Sequence, residues 1–182
     1  MDEPLSFALF DTAVGCCGLV WSGRGLVAVQ LPEGSPEATR ARLERRYPTA
    51  REQTPEPAGQ GRAVKRIARL LAGAADDLAD LPLDDAGLEE FERRVYALAR
   101  AIRPGATSTY GEIARGLGRP EAAQAVGRAL GRNPWPIVVP CHRVLAAGGR
   151  IGGFSATSGI ALKRRLLAIE SVHAGGPPGL FD

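Results

Sequence analysis

The chain has 182 residues, a mass of 19.2 kDa and a formal net charge of +3, a length suited to one domain plus a modest second. Apolar residues at 45% and charged residues at 24% match ordinary globular usage and exclude wholesale disorder. No apolar run approaches the roughly 18 residues of a membrane span, and residues 1–30 lack the basic-then-apolar layout of a secretory leader. No membrane partner is expected, and the expected location is cytoplasmic.

Cys16 and Cys17 are adjacent and Cys141 stands alone, which is no disulfide framework. His142 and His173 are the only histidines, and neither Cys-x-x-Cys nor His-x-x-x-His spacing occurs, so neither a metal nor another cofactor is expected. The bland net charge hides a division. Residues 1–90 carry 10 basic against 15 acidic side chains, whereas residues 91–170 carry 13 against 4. A segment with a balance of +9 suits a polyanion such as nucleic acid, although a solvated arginine-rich surface would give the same count.

The first 31 residues read as a glycine-punctuated meander with strands at Phe7–Phe10, Leu19–Trp21 and Leu26–Leu31. Pro36–Tyr47 and Gln60–Ala75 carry helical patterns, separated by a proline-rich connector at 48–59. Leu78, Leu81 and Leu83 roughly alternate and predict a last strand, followed by a boundary near Asp84–Gly87. Residues 1–87 are thus expected to form an α/β (α+β) domain with a small antiparallel sheet. Residues 88–172 form a mostly helical domain in this reading, and 173–182 an irregular tail.

Phe91, Val95, Leu98, Ala99 and Ile102 recur at the spacing of one buried helix face. Thr109-Tyr-Gly-Glu112 has the spacing of a capping box and opens a short helix to about Leu117. After the Gly118–Arg119 turn, Pro120 suits the first position of a second helix ending near Gly131. The sequence therefore predicts a helix-turn-helix. Its second helix is rich in small residues, including Ala122, Ala123, Ala125, Gly127 and Ala129. Such a surface serves close approach to DNA phosphates, with Gln124 or Arg128 projecting, or tight packing on another helix, and periodicity does not separate the two.

The segment Asn133-Pro-Trp-Pro-Ile-Val-Val-Pro-Cys141-His142-Arg143-Val144 concentrates the chemistry. A thiol with a pKa near 8.5 is mostly protonated at neutral pH and becomes a nucleophile when a base or a cation favours the thiolate. His142 and Arg143 supply one of each, and a bridging water would connect a cysteine and histidine that are neighbours in sequence. A buried, inert cysteine is the competing reading.

Pro140-Cys141-His142-Arg143-Val144, with Asn133-Pro before it, the Thr109-Tyr110-Gly-Glu112 helix, Gly153-Phe154-Ser155 and the Lys163–Glu170 helix in the same order, resembles the O6-alkylguanine-DNA alkyltransferases. The likeness spans about residues 91–170, and Phe10-Asp11-Thr12 with the following meander resembles the bacterial members' smaller domain more loosely. The resemblance implies DNA repair by direct reversal. The helix-turn-helix enters the minor groove, the damaged base is flipped out, and one alkyl group passes irreversibly to the protein's own cysteine.

Carried over by position, Cys141 is the nucleophile, His142 its base through a water, Glu170 the group that orients His142, and Asn133 the brace of the turn. Tyr110 assists the leaving guanine at N3. Gln124, Arg128, Thr109, Ala123, Ala125, Gly127 and Arg143 would meet DNA, and Pro136, Val144, Phe154 and Ser155 would line the alkylguanine pocket. The implied partner is double-stranded DNA containing O6-alkylguanine, with O4-alkylthymine as an alternative lesion, and the implied state is a monomer.

Two positions depart from the family. Gln124 stands where an intercalating arginine is typical, with Arg128 one turn later, and Phe154 stands where some members have tyrosine. A lesion binder without chemistry is opposed by Cys141, and a helix-turn-helix regulator leaves the Cys–His pair unexplained. A cysteine hydrolase lacks its expected signatures.

Overall fold

Thr12 and Gly15 close a two-residue turn at Ala13–Val14, where Thr12 Oγ1 accepts from the Val14 N–H at 3.2 Å. The turn sets the register of β1 (Ser6–Thr12) on β2 (Gly15–Trp21), which runs from Thr12↔Gly15 to Ser6↔Trp21. β3 (Leu26–Gln30) adds antiparallel to β2 with an irregularity at Val20/Trp21. The computed structural model describes residues 4–55, 58–153 and 159–173. They fall into two units, one of Met1–Ala86 with Pro134–Val138 and one of Gly87–Asn133 with Val139 onward.

In the first unit, α1 (Pro36–Arg46) begins where the Ser35 hydroxyl accepts from the Ala38 N–H at 3.2 Å, with Pro36 in the first turn. Leu43 of α1 packs with Phe7, Val20 and Ala28. A β-carbon at Gly18 would lie 2.3 Å from Leu43 Cδ1, so any larger residue there displaces the Leu43 side chain that seats the helix on the strand. Sequence reading missed β4 (Arg51–Glu52), a two-residue strand inside the proline-rich connector that pairs parallel to β1 and completes the order β3-β2-β1-β4. α2 (Gln60–Leu71) buries Ala63, Ile67, Leu70 and Leu71.

The strand expected at Leu78–Leu83 does not form. Asp76 and Asp77 accept from the backbone N–H groups of Leu78 and Ala79, both at 3.0 Å, and Leu78 takes a left-handed φ of 53°. These local turns win over extended pairing, leaving one bridge, Leu26↔Leu83. Leu78 and Leu81 are buried as loop residues. Arg66 ties the loop to α2 through Asp76 and Asp80.

In the second unit, α3 (Glu90–Arg100) buries Val95, Tyr96 and Ala99, and the Tyr96 hydroxyl donates to Ala129 O at 2.8 Å. β5 (Ser108–Thr109) leads into α4 (Tyr110–Gly116) through a complete capping box. Thr109 Oγ1 accepts from Glu112 N, and Glu112 Oε2 accepts from Thr109 N at 2.7 Å. A turn with Gly118 at φ 72° and a 3-10 turn at Pro120–Ala122 precede α5 (Ala123–Gly131), giving the expected helix-turn-helix. β6 (Val144–Leu145) pairs parallel to β5, and α6 (Gly159–Ser171) follows. Both units together are a mixed α+β architecture, and among the described residues no helix is long and apolar enough to cross a membrane.

Candidate functional site

Cys141 opens a 3-10 turn (Cys141–Arg143) directly after Pro140 and is 7% exposed. Its N–H donates to Val139 O, and Asn133 Nδ2 donates to the same carbonyl, each at 2.8 Å. The tight turn sends consecutive side chains in different directions, so adjacency in sequence does not make a direct Cys–His pair. His142 points into the unit instead, where Nε2 meets Glu170 Oε1 at 2.9 Å.

A carboxylate only accepts, so the hydrogen-bond network places the proton on Nε2. Nδ1 of His142 is buried without a hydrogen-bond partner among the described residues and presents a lone pair. Burial holds the imidazole below its ordinary pKa, against the pull of Glu170, and keeps it neutral at rest. This is the state of a base.

Glu170 also receives Arg143. Nε and Nη2 of the guanidinium donate to its two oxygens at 2.8 and 2.7 Å, and Nη1 donates to Ile102 O. Burial alone would raise the carboxyl pKa, but the hydrogen bonds from His142 and Arg143 outweigh it and bring Glu170 down to about 2. The expectation that Arg143 contacts DNA is therefore corrected: it is 1% exposed and its donors are spent on Glu170 and Ile102.

Sequence reading missed one contributor. Lys163 is fully buried, with Nζ donating to Val144 O at 2.7 Å and lying 6.0 Å from the Tyr110 ring centroid. Burial is the largest influence on the Cys141 thiol and pushes it up, while the Asn133 side chain and the Lys163 charge act to lower it. The signal was available: Lys163 is seven residues before Glu170 on a face shared with Leu162, Leu166 and Leu167, so one side of α6 delivers both groups.

Tyr110 begins α4 and is half-buried, its pKa raised by burial and then by Cys141. A β-carbon at Gly127 would stand 3.8 Å from the Tyr110 ring, and one at Gly152 would stand 3.1 Å from its hydroxyl. The small residues of α5 thus serve both close packing and an open surface. Ala122, Ala129 and Gly127 permit packing, whereas Gln124 and Arg128 are exposed one turn apart with Ala123 and Ala125 half-buried beside them. Thr109 uses its hydroxyl as the cap of α4. Val144 is fully buried in β6, Pro136 lies in the 134–138 segment of the first unit, and Phe154 and Ser155 lie outside the described residues. Among the described residues no group of three or more His, Cys, Asp or Glu is placed to hold a metal. Cys17 is buried with its thiol raised to about 12, and Cys16 is raised chiefly by burial.

Fold and site define a class: a helix-turn-helix protein with a shielded cysteine supported by its own acid–base pair. Residues 90–172 match the family model described as 6-O-methylguanine DNA methyltransferase, DNA binding domain. A Mycobacterium tuberculosis protein named methylated-DNA–protein-cysteine methyltransferase is 40% identical over 98% of this chain and 99% of its own length. A Methanothermobacter thermautotrophicus protein of the same name is 36% identical over 87% of this chain and 81% of its own. The crystal structure of Mycobacterium tuberculosis O6-methylguanine methyltransferase superposes with a TM-score of 0.74 at 33% identity, covering 98% of this chain and 99% of that one. A structure of Mycobacterium tuberculosis OGT in complex with DNA gives 0.74 at 32% identity over 93% and 94%. The chain belongs to the methylated-DNA–protein-cysteine methyltransferase family.

Proposed function

We propose that this protein repairs DNA by moving the alkyl group of O6-alkylguanine onto Cys141, once per molecule. The observation that carries the reading is the buried His142–Glu170 pair beside the cysteine, with Nδ1 of His142 unpartnered among the described residues. His142 takes the thiol proton through a water at Nδ1, and the imidazolium so formed is stabilised by Glu170 through Nε2–H. The thiolate, favoured by Asn133 and Lys163, attacks the alkyl carbon. An S–C bond forms, the C–O6 bond breaks, and its electron pair stays on the purine, which is reprotonated as guanine. The Tyr110 hydroxyl donates to N3 as that charge develops. A thioether has no thiol-exchange route back, so turnover stops at one.

Support for DNA as the partner comes from the family model over residues 90–172 and from the relative solved on DNA. Gln124 is proposed to fill the gap left by the flipped base, with Arg128 adding phosphate contact. Val144, Phe154 and Ser155 are proposed to line the base pocket, and a single molecule acts alone in the cytoplasm. The test is to quantify guanine restored in an O6-methylguanine duplex against moles of protein. Restoration that stops at one equivalent, and is absent in Cys141→Ala, supports the proposal. Tight DNA binding with no restored guanine rejects it in favour of a lesion sensor.

A further inference from the structure

α3 grips the end of α5 through two residues one helical turn apart. The Tyr96 hydroxyl donates to Ala129 O at 2.8 Å, and Glu92 Oε1 accepts from Nε and Nη2 of Arg132 at 3.2 and 2.7 Å. Arg132 is the C-cap of α5 and its guanidinium is exposed, whereas Tyr96 is 3% exposed. Between the two grips the helix tightens and stops. The Arg132 N–H reaches Ala129 O at 3.1 Å, and the Asn133 N–H turns to Leu130 O at 3.3 Å instead of continuing to Ala129 O.

Where α5 stops, Asn133 begins to serve the nucleophile. Its Nδ2 donates to Val139 O, the carbonyl that also accepts from the Cys141 N–H, and its side chain hydrogen bonds in the sense that lowers the thiol pKa. A buried phenol needs an acceptor, and any carbonyl in reach would satisfy it. The one it takes lies on the last turn of α5, four residues before Asn133, and so fixes the helix end from which Asn133 projects. Burial, then Glu92, then the Cys141 charge push Tyr96 up to about 12, which keeps the hydroxyl a donor throughout the neutral range. Every group in this chain of contacts belongs to the second unit. We infer that Tyr96 is a positioning residue for the transfer reaction, fixing the end of α5 so that Asn133 is set against the turn bearing Cys141. The inference rests on the alkyl-transfer reading and extends it to α3.

Tyr96→Phe keeps the ring and deletes the donor. Three quantities are read: the single-turnover rate of methyl transfer at saturating O6-methylguanine duplex, the pH profile of Cys141 alkylation by iodoacetamide without DNA, and the melting temperature. With the helix end released, Asn133 supports the thiolate less well. The profile then moves to higher pH, alkylation at pH 7 slows roughly three- to tenfold, the scale of one hydrogen bond, and methyl transfer slows by a similar factor. Glu92→Gln, which cuts the other grip, displaces the profile in the same direction and carries the test should Tyr96→Phe fail to fold. A role confined to stability lowers the melting temperature alone. A wild-type profile or a wild-type transfer rate in the folded variant therefore overturns the inference. A wild-type protein that transfers no methyl group rejects the repair reading instead, and the alkylation profile then decides on Tyr96 by itself.

Discussion

Replacing Glu170 by glutamine separates the charge of the carboxylate from its shape. Glu170 is 4% exposed, meets His142 at 2.9 Å and takes two donors from Arg143. Its carboxyl is brought from an ordinary 4.5 to about 2, a difference worth roughly 3 kcal/mol of folding stability. Because the folded value is the lower one, this stability is present above about pH 4.5 and is lost as the pH falls towards 2. The substitution also leaves the Arg143 guanidinium buried beside a neutral amide, and breaking such a pair typically costs about 3–5 kcal/mol. Urea unfolding of wild type and Glu170→Gln across the pH range measures both. The predicted gap is a few kcal/mol at pH 7, about that of the pair, and narrows steadily below pH 4.5 as the wild-type carboxylate is protonated. Equal stabilities at pH 7, or a gap that stays constant down to pH 2, would refute the assignment of Glu170 as the buried anion of the site.

Arg143→Ala should destabilise the fold on the same scale yet leave the salt dependence of DNA binding unchanged, because its guanidinium is spent inside the protein; Arg128→Ala should instead reduce the slope of log K against log salt by about 1 with little change in stability. Salt titrations of DNA affinity distinguish them. Lys163→Met removes a charge that lowers the Cys141 thiol, so the thiol should rise further and iodoacetamide alkylation at pH 7 should slow roughly tenfold per pKa unit; an unmoved alkylation profile would remove Lys163 from the site. Gly18→Ala places a β-carbon 2.3 Å from Leu43 Cδ1 and should cost about 1–3 kcal/mol in urea unfolding, with the surviving folded protein transferring alkyl groups at the wild-type rate.

Features governed by neighbours in the chain are legible in the amino-acid sequence. The Thr109–Glu112 capping box and the α4-turn-α5 arrangement depend on residues a few positions apart, and both form. The α1 start behind Ser35 is equally local. Partners distant in the chain are not legible in the same way. Arg143 meets a carboxylate 27 positions away, and nothing in its own surroundings tells a buried guanidinium from one facing DNA. Leu78–Leu83 fails as a strand because two aspartates turn the backbone locally, a competition that alternating leucines do not reveal. β4 is too short to carry a pattern, and it forms because β1 offers a free edge. Residues 134–138 read as an apolar run leading to the cysteine, and their place with the first unit depends on bonds to Leu26 and Val29, more than 100 positions earlier.

In the proposed reaction one sulfur atom, that of Cys141, is consumed in repair. Peptide mapping by mass spectrometry after incubation with excess O6-methylguanine duplex tests it most directly, because it resolves Cys16, Cys17 and Cys141 within one experiment. The expected result is a single added methyl group on the peptide containing Cys141, approaching one per molecule, with the Cys16–Cys17 peptide unchanged. A methyl group on Cys16 or Cys17, or an unmodified Cys141 after the duplex has been repaired, would contradict it.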